Sequence, residues 1–387
     1  MPDDSAKLTL TLHPKIAEIN PADWDACAGD ANPFVSHAFM SAMEDSGSAG
    51  PRTGWLPQHA ALRDDAGRVV AVAPMYAKSH SYGEYVFDHG WANAFERVGG
   101  AYYPKLQVAS PFSPVPGPRL LRRPDAGISI EGLGAALVQA CKQLNLSSLH
   151  VTFCTEEEWH ALGKAGWLQR LGSQFHWENA DYTCFDDFLG ALSSRKRKVL
   201  RRERRDANAC GLIFSALSGA DIKERHWDAF YSFYQGTVDR KWGSAYLTRE
   251  FFSLLSERLG DRVVLMFAEA DGKPVAGALN LVGADTLYGR NWGCRGDWPF
   301  LHFELCYYRA IDWAIEHGLK RVEAGAQGQH KIQRGYLPQV TYSAHWIANA
   351  GFARAVDNFL QEERPEILGE MAALAEQSPF RKSGETD

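Results

Sequence analysis

The order of helices and strands predicted over residues 182–350 limits the possible folds more than any other feature of this sequence. Apolar runs at 262–270 and 275–282 flank Asp271-Gly272, a pattern typical of a β-hairpin. Helices precede the hairpin, and the elements predicted after it are strand 286–294, helix 302–317, strand 321–323, a loop and strand 340–347. This order predicts an α/β (α+β) domain, in which a mixed, mostly antiparallel sheet is flanked by helices.

A weaker copy of this order occurs in the first half of the chain. It consists of a hairpin at 58–78, a helix at 130–144 and a strand at 149–154. Short strands are also predicted at 16–19 and 84–88. The two halves are not obviously similar residue by residue, so the inference that one fold occurs twice depends on element order alone.

The length of the chain agrees with two domains. A chain of 387 residues exceeds a typical single domain, and two of roughly 150–200 residues each are expected. We predict an N-terminal domain at 1–180 and a C-terminal domain at 181–387, and the second ends in helices at 351–361 and 365–376.

The cysteines and the apolar runs exclude several classes of protein. The seven cysteines are scattered and none forms a CxxC pair, so a zinc site or a disulfide framework is not expected. The start of the chain, MPDDSAKLTL, has acids where a signal peptide needs bases, and no run approaches the ~18 apolar residues of a membrane span. We expect a cytoplasmic protein without a metal, and the sequence does not set its oligomeric state.

Polar side chains are concentrated between residues 320 and 346, where a predicted strand enters a glycine-containing loop and a second strand follows. Their chemistry is to bind an anion, donate a proton or accept one. These candidates are Glu323, Gln327, Gln329, His330, Lys331, Arg334 and His345. The alternative is a solvated loop with incidental charges, but five polar side chains beside glycines favour a functional loop.

Three stretches resemble one protein family. Residues 188–205, FLGALSSRKRKVLRRERR, resemble the basic helix that opens the second domain of FemAB-like proteins. Residues 301–325 resemble their helix and the strand after it, which ends in an acid and a glycine, and 331–336, KIQRGY, resembles their Lys-x-x-x-Gly-aromatic turn. The element order resembles the GNAT acyltransferase fold, and its tandem copy resembles the FemABX-type peptidoglycan aminoacyltransferases. The chain is therefore similar to the bacterial FemAB-like N-acyltransferases.

This resemblance implies transfer of an acyl or aminoacyl group to a primary amine of a peptidoglycan precursor, a peptide or a small molecule. The donor would be aminoacyl-tRNA or acyl-coenzyme A, with no tightly bound cofactor. Such a reaction needs a base for the amine and a cation for the oxyanion. Glu323, His330 and His345 are the candidate bases, and the choice among them stays open. Lys331 and Arg334 are the candidate cations, and Tyr336 joins the site through the turn motif.

The stretch 295–300, RGDWPF, differs from the coenzyme A loop of the GNAT superfamily. That loop, Gln/Arg-x-x-Gly-x-Gly, holds pyrophosphate with backbone N–H groups at the start of a helix. Here one glycine remains and a proline removes a donor, so coenzyme A is disfavoured. The polar residues around this stretch are predicted to bind substrate or donor, with packing and helix capping as the alternatives: Asn291, Arg295, His302 and Glu304.

The segment 195–205 contains eight basic residues and one acid, although the net charge of the whole chain is −6. One interpretation is a surface for tRNA or for the phosphates of a nucleotide-linked ligand. The candidates are Arg195, Lys196, Arg197, Lys198, Arg201 and Arg202. The alternative is a solvated helix whose arginine stems cover apolar surface.

Three functions are therefore carried forward. The first is an N-acyltransferase that uses an aminoacyl donor. The second is an acyl-coenzyme A-dependent acetyltransferase for a small amine, and the third is a non-catalytic protein that binds an anion or RNA.

Overall fold

The computed structural model describes residues 8–240, 245–325 and 328–381. Within these ranges the strands are β1 (Thr9–His13), β2 (Trp55–Pro57), β3 (His59–Arg63), β4 (Val69–Ala73), β5 (Met75–Lys78), β6 (Lys105–Val108), β7 (Leu121–Arg122), β8 (Ser148–Cys154), β9 (Leu168–Glu178), β10 (Ile213–Ser218), β11 (Val263–Ala270), β12 (Lys273–Val282), β13 (Thr286–Cys294), β14 (Arg321–Glu323) and β15 (Leu337–Ile347).

The α-helices of the same ranges are α1 (Pro21–Ala28), α2 (His37–Asp45), α3 (His89–Arg97), α4 (Ile130–Gln143), α5 (Glu156–Lys164), α6 (Phe185–Ala191), α7 (Ser194–Asn208), α8 (Glu224–Arg240), α9 (Arg249–Leu259), α10 (Leu301–Phe303), α11 (Arg309–Glu316) and α12 (Ala350–Ala375). A π-helix, Glu304–Tyr308, connects α10 to α11, and 3-10 helices include Ile16–Glu18 and Gln329–Arg334. Among the described residues, no helix combines the length and the apolar character that a membrane crossing requires.

The chain forms two compact units. Unit 1 contains Met1–Gly172 and Val340–Leu368, and unit 2 contains Ser173–Gln339 and Gly369–Asp387. The domain boundary between residues 180 and 181 stays a prediction.

Unit 1 contains two sheets. One is antiparallel and has the order β1-β3-β4-β7. In the other, β2, β5 and β6 pair antiparallel, β6 pairs parallel with β8, and β8 pairs antiparallel with β15. Its core includes Leu106, Leu133, Leu137 and Val151, which come from β6, α4 and β8. Helix α4 therefore packs on the sheet beside the parallel pair.

Unit 2 contains one mixed sheet with the order β10-β11-β12-β13-β14-β9. Only the contact between β13 and β14 is parallel. The β11–β12 hairpin turns at Asp271 and Gly272, whose φ angles of 49° and 70° suit the type I′ turn that the Asp-Gly pair predicts. The core includes Leu305, Ile311 and Ala314 of the helical segment 301–316, packed with Val322 of β14. Both units thus have the predicted mixed, mostly antiparallel sheets with flanking helices.

Each unit takes a strand from a distant part of the chain. Residues 342–347 of β15 come after residues 173–339 of unit 2 in the sequence, and they pair with β8 of unit 1. Residues 176–178 of β9 come just after residues 1–172 of unit 1, and they pair with β14 of unit 2. The first part of α12 belongs to unit 1 as well, since Val356 and Leu360 join a cluster with Trp91.

Several predicted elements were wrong. Residues 16–18 form a 3-10 helix, and 84–88 form no strand. Strand β10 was not predicted, because none of its residues is buried and it lacks the alternation of apolar and polar residues that marks a half-buried strand. The two helices expected at 351–361 and 365–376 are one helix, α12, with Pro365 inside it.

Candidate active site

The candidate site in unit 2 begins where β13 and β14 separate. Their parallel ladder covers only three residue pairs, from Thr286↔Arg321 to Tyr288↔Glu323. Beyond this point β13 continues to Cys294, with an irregularity in its pairing to β12 between Ala278 and Asn280. A Cβ placed on Gly289 would lie 3.1 Å from the carbonyl oxygen of Glu323, which is a tight contact, so glycine favours this approach of the two backbones. The sequence thus produces a short parallel junction with Glu323 at its end.

Glu323 is almost completely buried on the last residue of β14. Burial raises the pKa of its carboxyl group to about 8, although Arg321 and Arg290 act in the opposite direction. The ring of His176, on β9, lies 3.9 Å away from the carboxylate. Burial, with a smaller effect of Arg321, lowers the pKa of His176 to about 3, so this imidazole is neutral at pH 7. The pair is a buried, mainly uncharged polar contact.

Lys331 lies in the 3-10 helix Gln329–Arg334 and is 2% exposed. Its ammonium donates a hydrogen bond of 2.8 Å to the carbonyl oxygen of Gly325. Burial lowers the pKa of Lys331 to about 8. Gly335 ends this 3-10 helix with a φ of 87°, and a Cβ there would meet the ring of Phe188 at 2.8 Å. The Lys-x-x-x-Gly-aromatic turn therefore holds the side chain of Lys331 in a buried position.

His330 points in a different direction and is exposed to solvent. Its Nε2 lies 2.9 Å from the hydroxyl group of Tyr307, in the π-helix. Its ring also packs against Phe303 and His302, with centroid separations of 5.9 and 6.1 Å. Partial burial, followed by the charges of Arg334 and Lys331, lowers the pKa of His330. The imidazole is neutral at pH 7 and can accept a proton.

Arg334 is buried, and one of its terminal nitrogens donates to both carboxylate oxygens of Glu203 of α7, at 2.9 and 3.0 Å. Its other terminal nitrogen donates to the carbonyl oxygen of His330 at 2.8 Å, and its guanidinium group lies 3.3 Å from the centre of the Phe303 ring. Tyr336 is buried as well, and its hydroxyl group donates to the carbonyl oxygen of Tyr307 at 3.4 Å. Both side chains are buried and hydrogen-bond the backbone, Arg334 at His330 and Tyr336 at Tyr307.

The remaining candidates near 291–304 have different surroundings. Arg295 is exposed and donates to the hydroxyl oxygen of Ser232 at 3.1 Å. The ring of His302 packs 5.0 Å from that of Trp292. Glu304 is fully buried, with the Nε atoms of Arg309 and Arg204 at 3.1 and 3.6 Å, and burial raises the pKa of its carboxyl group.

Two further candidates, Asn291 and Gln329, are half-buried and exposed respectively. Gln327 lies outside the described residues. The assignment of Asn291, Arg295, His302, Glu304, Gln329, Arg334 and Tyr336 to ligand binding stays a prediction.

His345 belongs to unit 1, whereas the other candidate catalytic residues belong to unit 2. It is 1% exposed, and its Nδ1 lies 2.8 Å from Nδ1 of His150. Burial lowers its pKa well below the usual range, so its imidazole is neutral. The ring of Trp91 packs nearly perpendicular to the His345 ring, with a centroid separation of 5.0 Å.

The basic helix α7 has charged groups on its exposed faces and several internal partners. Lys196 bonds Gln333, Arg201 pairs with Asp186 at 3.3 Å, and Arg202 pairs with Asp206 at 3.4 Å. Arg197 donates to the carbonyl oxygen of Leu192 at 3.4 Å, while Arg195 and Lys198 lie toward solvent. The predicted binding of RNA or another anion by these six residues stays a prediction.

Sequence reasoning missed three residues that organise the loop. They are Glu203, Tyr307 and Tyr308, and all three are buried. A signal for Glu203 was present, because it lies on the same helical face as the apolar residues Leu200 and Ala207. An acid on the apolar face of a basic helix requires a partner inside the protein.

A family model described as peptidoglycan biosynthesis/recognition matches residues 15–382. The chain belongs to the FemAB-like family. No protein with a curated functional description matches its sequence.

Several solved structures resemble the chain in fold. The structure of FemX is 11% identical, covers 88% of this chain and 98% of its own, and has a TM-score of 0.54. The C-terminal domain of an Agrobacterium fabrum protein described as a putative lysylphosphatidylglycerol synthetase is 11% identical, with coverages of 90% and 97% and a TM-score of 0.55. L-PGS from Bacillus licheniformis is 10% identical, with coverages of 91% and 98% and a TM-score of 0.51. These likenesses concern the fold, and the predicted fold class of two tandem GNAT-like domains is confirmed.

Proposed function

We propose that this FemAB-like protein transfers an acyl or aminoacyl group to a primary amine of a peptidoglycan precursor or peptide, in the cytoplasm. The observation that carries the proposal is Lys331, a buried ammonium on a loop at the end of β14. A buried cation beside a polar, partly exposed loop suits a reaction in which negative charge develops on a carbonyl oxygen. Membership of the FemAB-like family supports the same chemistry.

In the proposed reaction the amine attacks the carbonyl carbon of the donor. The new C–N bond produces a tetrahedral oxyanion, and collapse of this intermediate breaks the bond to the leaving group and gives an amide. Lys331 stabilises the oxyanion, because with a pKa of about 8 most of its side chain is protonated at pH 7. Removal of one such donor costs about 10²–10³ in rate in enzymes that use it.

His330 is proposed as the base. It is exposed and neutral at pH 7, and its hydrogen bond to Tyr307 fixes the orientation of the ring. The attacking amine loses its proton to this imidazole, which then delivers a proton to the leaving oxygen or sulfur. Glu323 and His345 were the other candidate bases. Both carry less weight. Burial raises the pKa of Glu323 to about 8, so most of its carboxyl group is already protonated at pH 7, and Nδ1 of His345 is in contact with Nδ1 of His150.

The segment 295–300 supports an aminoacyl ester as the donor. Pro299 has no N–H group, the indole of Trp298 donates to the carbonyl oxygen of Arg295 at 3.0 Å, and the N–H of Leu301 bonds the carbonyl oxygen of Trp298 at 3.4 Å. Fewer backbone donors are thus left for a pyrophosphate than at a glycine-rich loop.

An acyl-coenzyme A donor is the second candidate. One observation favours it: β13 extends six residues beyond its ladder with β14, so this edge can bond the amides of an extended ligand such as a pantetheine arm. A peptide acceptor would use the same edge.

Transfer assays with named donors test the proposal. The purified chain is incubated with bulk aminoacyl-tRNA or with acetyl-coenzyme A, in the presence of nucleotide-linked peptidoglycan precursors, and products are identified by mass spectrometry. Lys331→Met is expected to lower turnover by about 100-fold or more. Lys320→Met, at an exposed position, is the matched control.

A thermal-shift screen with the same ligands identifies the donor. Stabilisation by coenzyme A compounds alone would favour the second candidate. Stabilisation without turnover under any condition, with weaker binding in Lys331→Met and His330→Gln, would leave a non-catalytic binding protein and overturn the proposal.

A further inference from the structure

Glu203 is the one acid in the basic segment 195–205, and it faces the interior of unit 2. Its neighbours Arg201, Arg202 and Arg205 lie on the other faces of α7. The carboxylate accepts three hydrogen bonds, two from Arg334 and one from the hydroxyl group of Tyr308. These contacts join α7, the π-helix and the 3-10 helix that contains Lys331.

Arg334 extends this connection to the candidate catalytic residues. It donates to the backbone carbonyl of His330 at 2.8 Å, so the carboxylate of Glu203 is two hydrogen bonds from the His330 main chain. The π-helix holds the same residue from the other side, because Tyr307 bonds the His330 ring at 2.9 Å. The segment 330–334 is thus held by two neighbouring residues of the π-helix, Tyr307 through the His330 ring and Tyr308 through Glu203.

We propose that Glu203 is a positioning residue, which keeps the His330–Lys331 loop closed so that Lys331 stays buried. The catalytic meaning of this role rests on the proposed function. A second α7 residue, Arg204, is also turned inward and pairs with Asp312. Glu203 and Arg204 therefore attach the inward face of α7 to the interior of unit 2. This role does not depend on which ligand the exposed face of α7 binds.

A physical reason makes Glu203 difficult to replace. A buried guanidinium group needs a charged partner, and its hydrogen bonds to an ionised carboxylate are about twice as strong as those between neutral groups. The substitution Glu203→Gln would keep the shape of the side chain but would leave Arg334 without a counter-charge. Arg334 would then move toward water and draw the loop out of its closed position.

The test measures how Lys331 reacts with acetic anhydride, which acylates the deprotonated amine. Native protein, Glu203→Gln and Glu203→Asp are labelled across a range of pH, and the modified peptides are quantified by mass spectrometry. Lys320 in each sample is the internal reference. Glu257→Gln, which removes an exposed acid of α9 in the same unit, is the matched control.

In Glu203→Gln the labelling rate of Lys331 at the alkaline plateau should rise about tenfold, which is the effect expected from losing one charged hydrogen bond. Its labelling midpoint should move upward from about 8 toward the ordinary lysine value of about 10.4, because the ammonium is no longer desolvated. Glu203→Asp should restore part of both changes, and Glu257→Gln should show neither. A general loss of stability would not move the midpoint of the molecules that stay folded.

If Lys331 in Glu203→Gln is labelled at the same rate and with the same midpoint as in the native protein, the positioning role is overturned. If Glu203→Gln does not fold, Glu203→Asp and Arg334→Lys give the same readout, and native labelling in both variants overturns it as well. The outcomes separate the two proposals. Faster labelling without acyl transfer in any assay supports the positioning role and rejects the function, whereas transfer at the native rate in Glu203→Gln rejects the positioning role alone.

Discussion

The ionisation of two adjacent residues, His330 and Lys331, gives the proposed reaction a defined pH dependence. Activity requires a neutral imidazole and a protonated amine. Burial lowers the pKa of Lys331 to about 8, so kcat/KM should fall as pH rises through that value. On the acid side it should fall at a pH below 6.5, because the pKa of His330 is lowered from that ordinary value.

Measurement of kcat/KM between pH 5 and pH 10, about the range in which these groups titrate, checks this expectation. Lys331→Arg keeps the charge at all of these pH values and should remove the alkaline limb. A limb that persists in Lys331→Arg would contradict the assignment of Lys331 to it.

Glu323 predicts how stability depends on pH. Its folded pKa of about 8 lies above the ordinary value of 4.5, so the folded state binds more protons than the unfolded state between these values. The ionisation of Glu323 therefore has no effect on the free energy of unfolding below pH 4.5. It lowers this free energy progressively as pH rises from 4.5 to about 8. Glu323→Gln removes this effect and should raise the melting temperature relative to the native chain at pH 8 but not at pH 4.5. Equal differences at the two pH values would contradict it.

The sequence led to Lys331 and His330 because a short local motif contains both residues. It did not lead to Tyr307 and Tyr308, whose contacts with His330 and Glu203 come from residues more than twenty positions away. The apolar face of an amphipathic helix could have identified Glu203, but its partner Arg334 depends on how three elements pack. Local patterns give candidate chemistry, and tertiary packing decides which side chains support it.

At the scale of elements, the segment 81–88 shows why a strand prediction failed. Lys78 and Lys105 are directly opposite each other on β5 and β6, and both are buried. The Lys105 ammonium bonds the hydroxyl of Ser81 at 2.9 Å and the carboxylates of Glu84, at 2.7 Å, and Asp88. The segment therefore folds over two buried lysine side chains, and its carboxylates hold the ammonium of Lys105, instead of extending. The apolar alternation around Tyr85 and Phe87 gave no indication of this electrostatic requirement.

Lys105→Met tests the role of this ammonium in unit 1. The change leaves Glu84 and Asp88 buried with less compensating charge, and it should destabilise the unit by about 3–5 kcal/mol. Lys164→Met, at an exposed position of α5, should have an effect within about 0.5 kcal/mol. Urea unfolding gives both values, and hydrogen exchange should show faster exchange across 81–88 in Lys105→Met. A similar small effect for both variants would contradict the electrostatic role.

For the whole molecule, the order of elements predicted the fold class but not the exchange of strands between the two halves. Residues 342–347 of β15 pair with β8, although about 190 residues separate them in sequence. Hydrophobic patterns report which residues are buried, but they do not report which strand is the neighbour. His345 was grouped with His330 and Lys331 because it follows them closely in the sequence. It belongs to unit 1, where it lies beside His150.

This exchange predicts which fragments can fold. A fragment of residues 1–180 lacks β15 and α12, so β8 loses a partner strand and the cluster of Trp91, Val356 and Leu360 loses its helix. We expect this fragment to show no cooperative unfolding. A second fragment, 8–172 linked to 340–368, contains all of the described part of unit 1.

The join is short, because a Cβ placed on Gly172 would lie 2.8 Å from the hydroxyl oxygen of Thr341. A turn of about two to five residues, such as one with Asn-Gly, should therefore connect the ends. The joined fragment should unfold cooperatively in urea, whereas 1–180 should not, and circular dichroism follows both transitions. If the fragment 1–180 unfolds cooperatively and is as stable as the joined fragment, unit 1 does not depend on residues 340–368. Because β15 and the first part of α12 contribute paired backbone and buried side chains, we expect the joined fragment to be the more stable of the two.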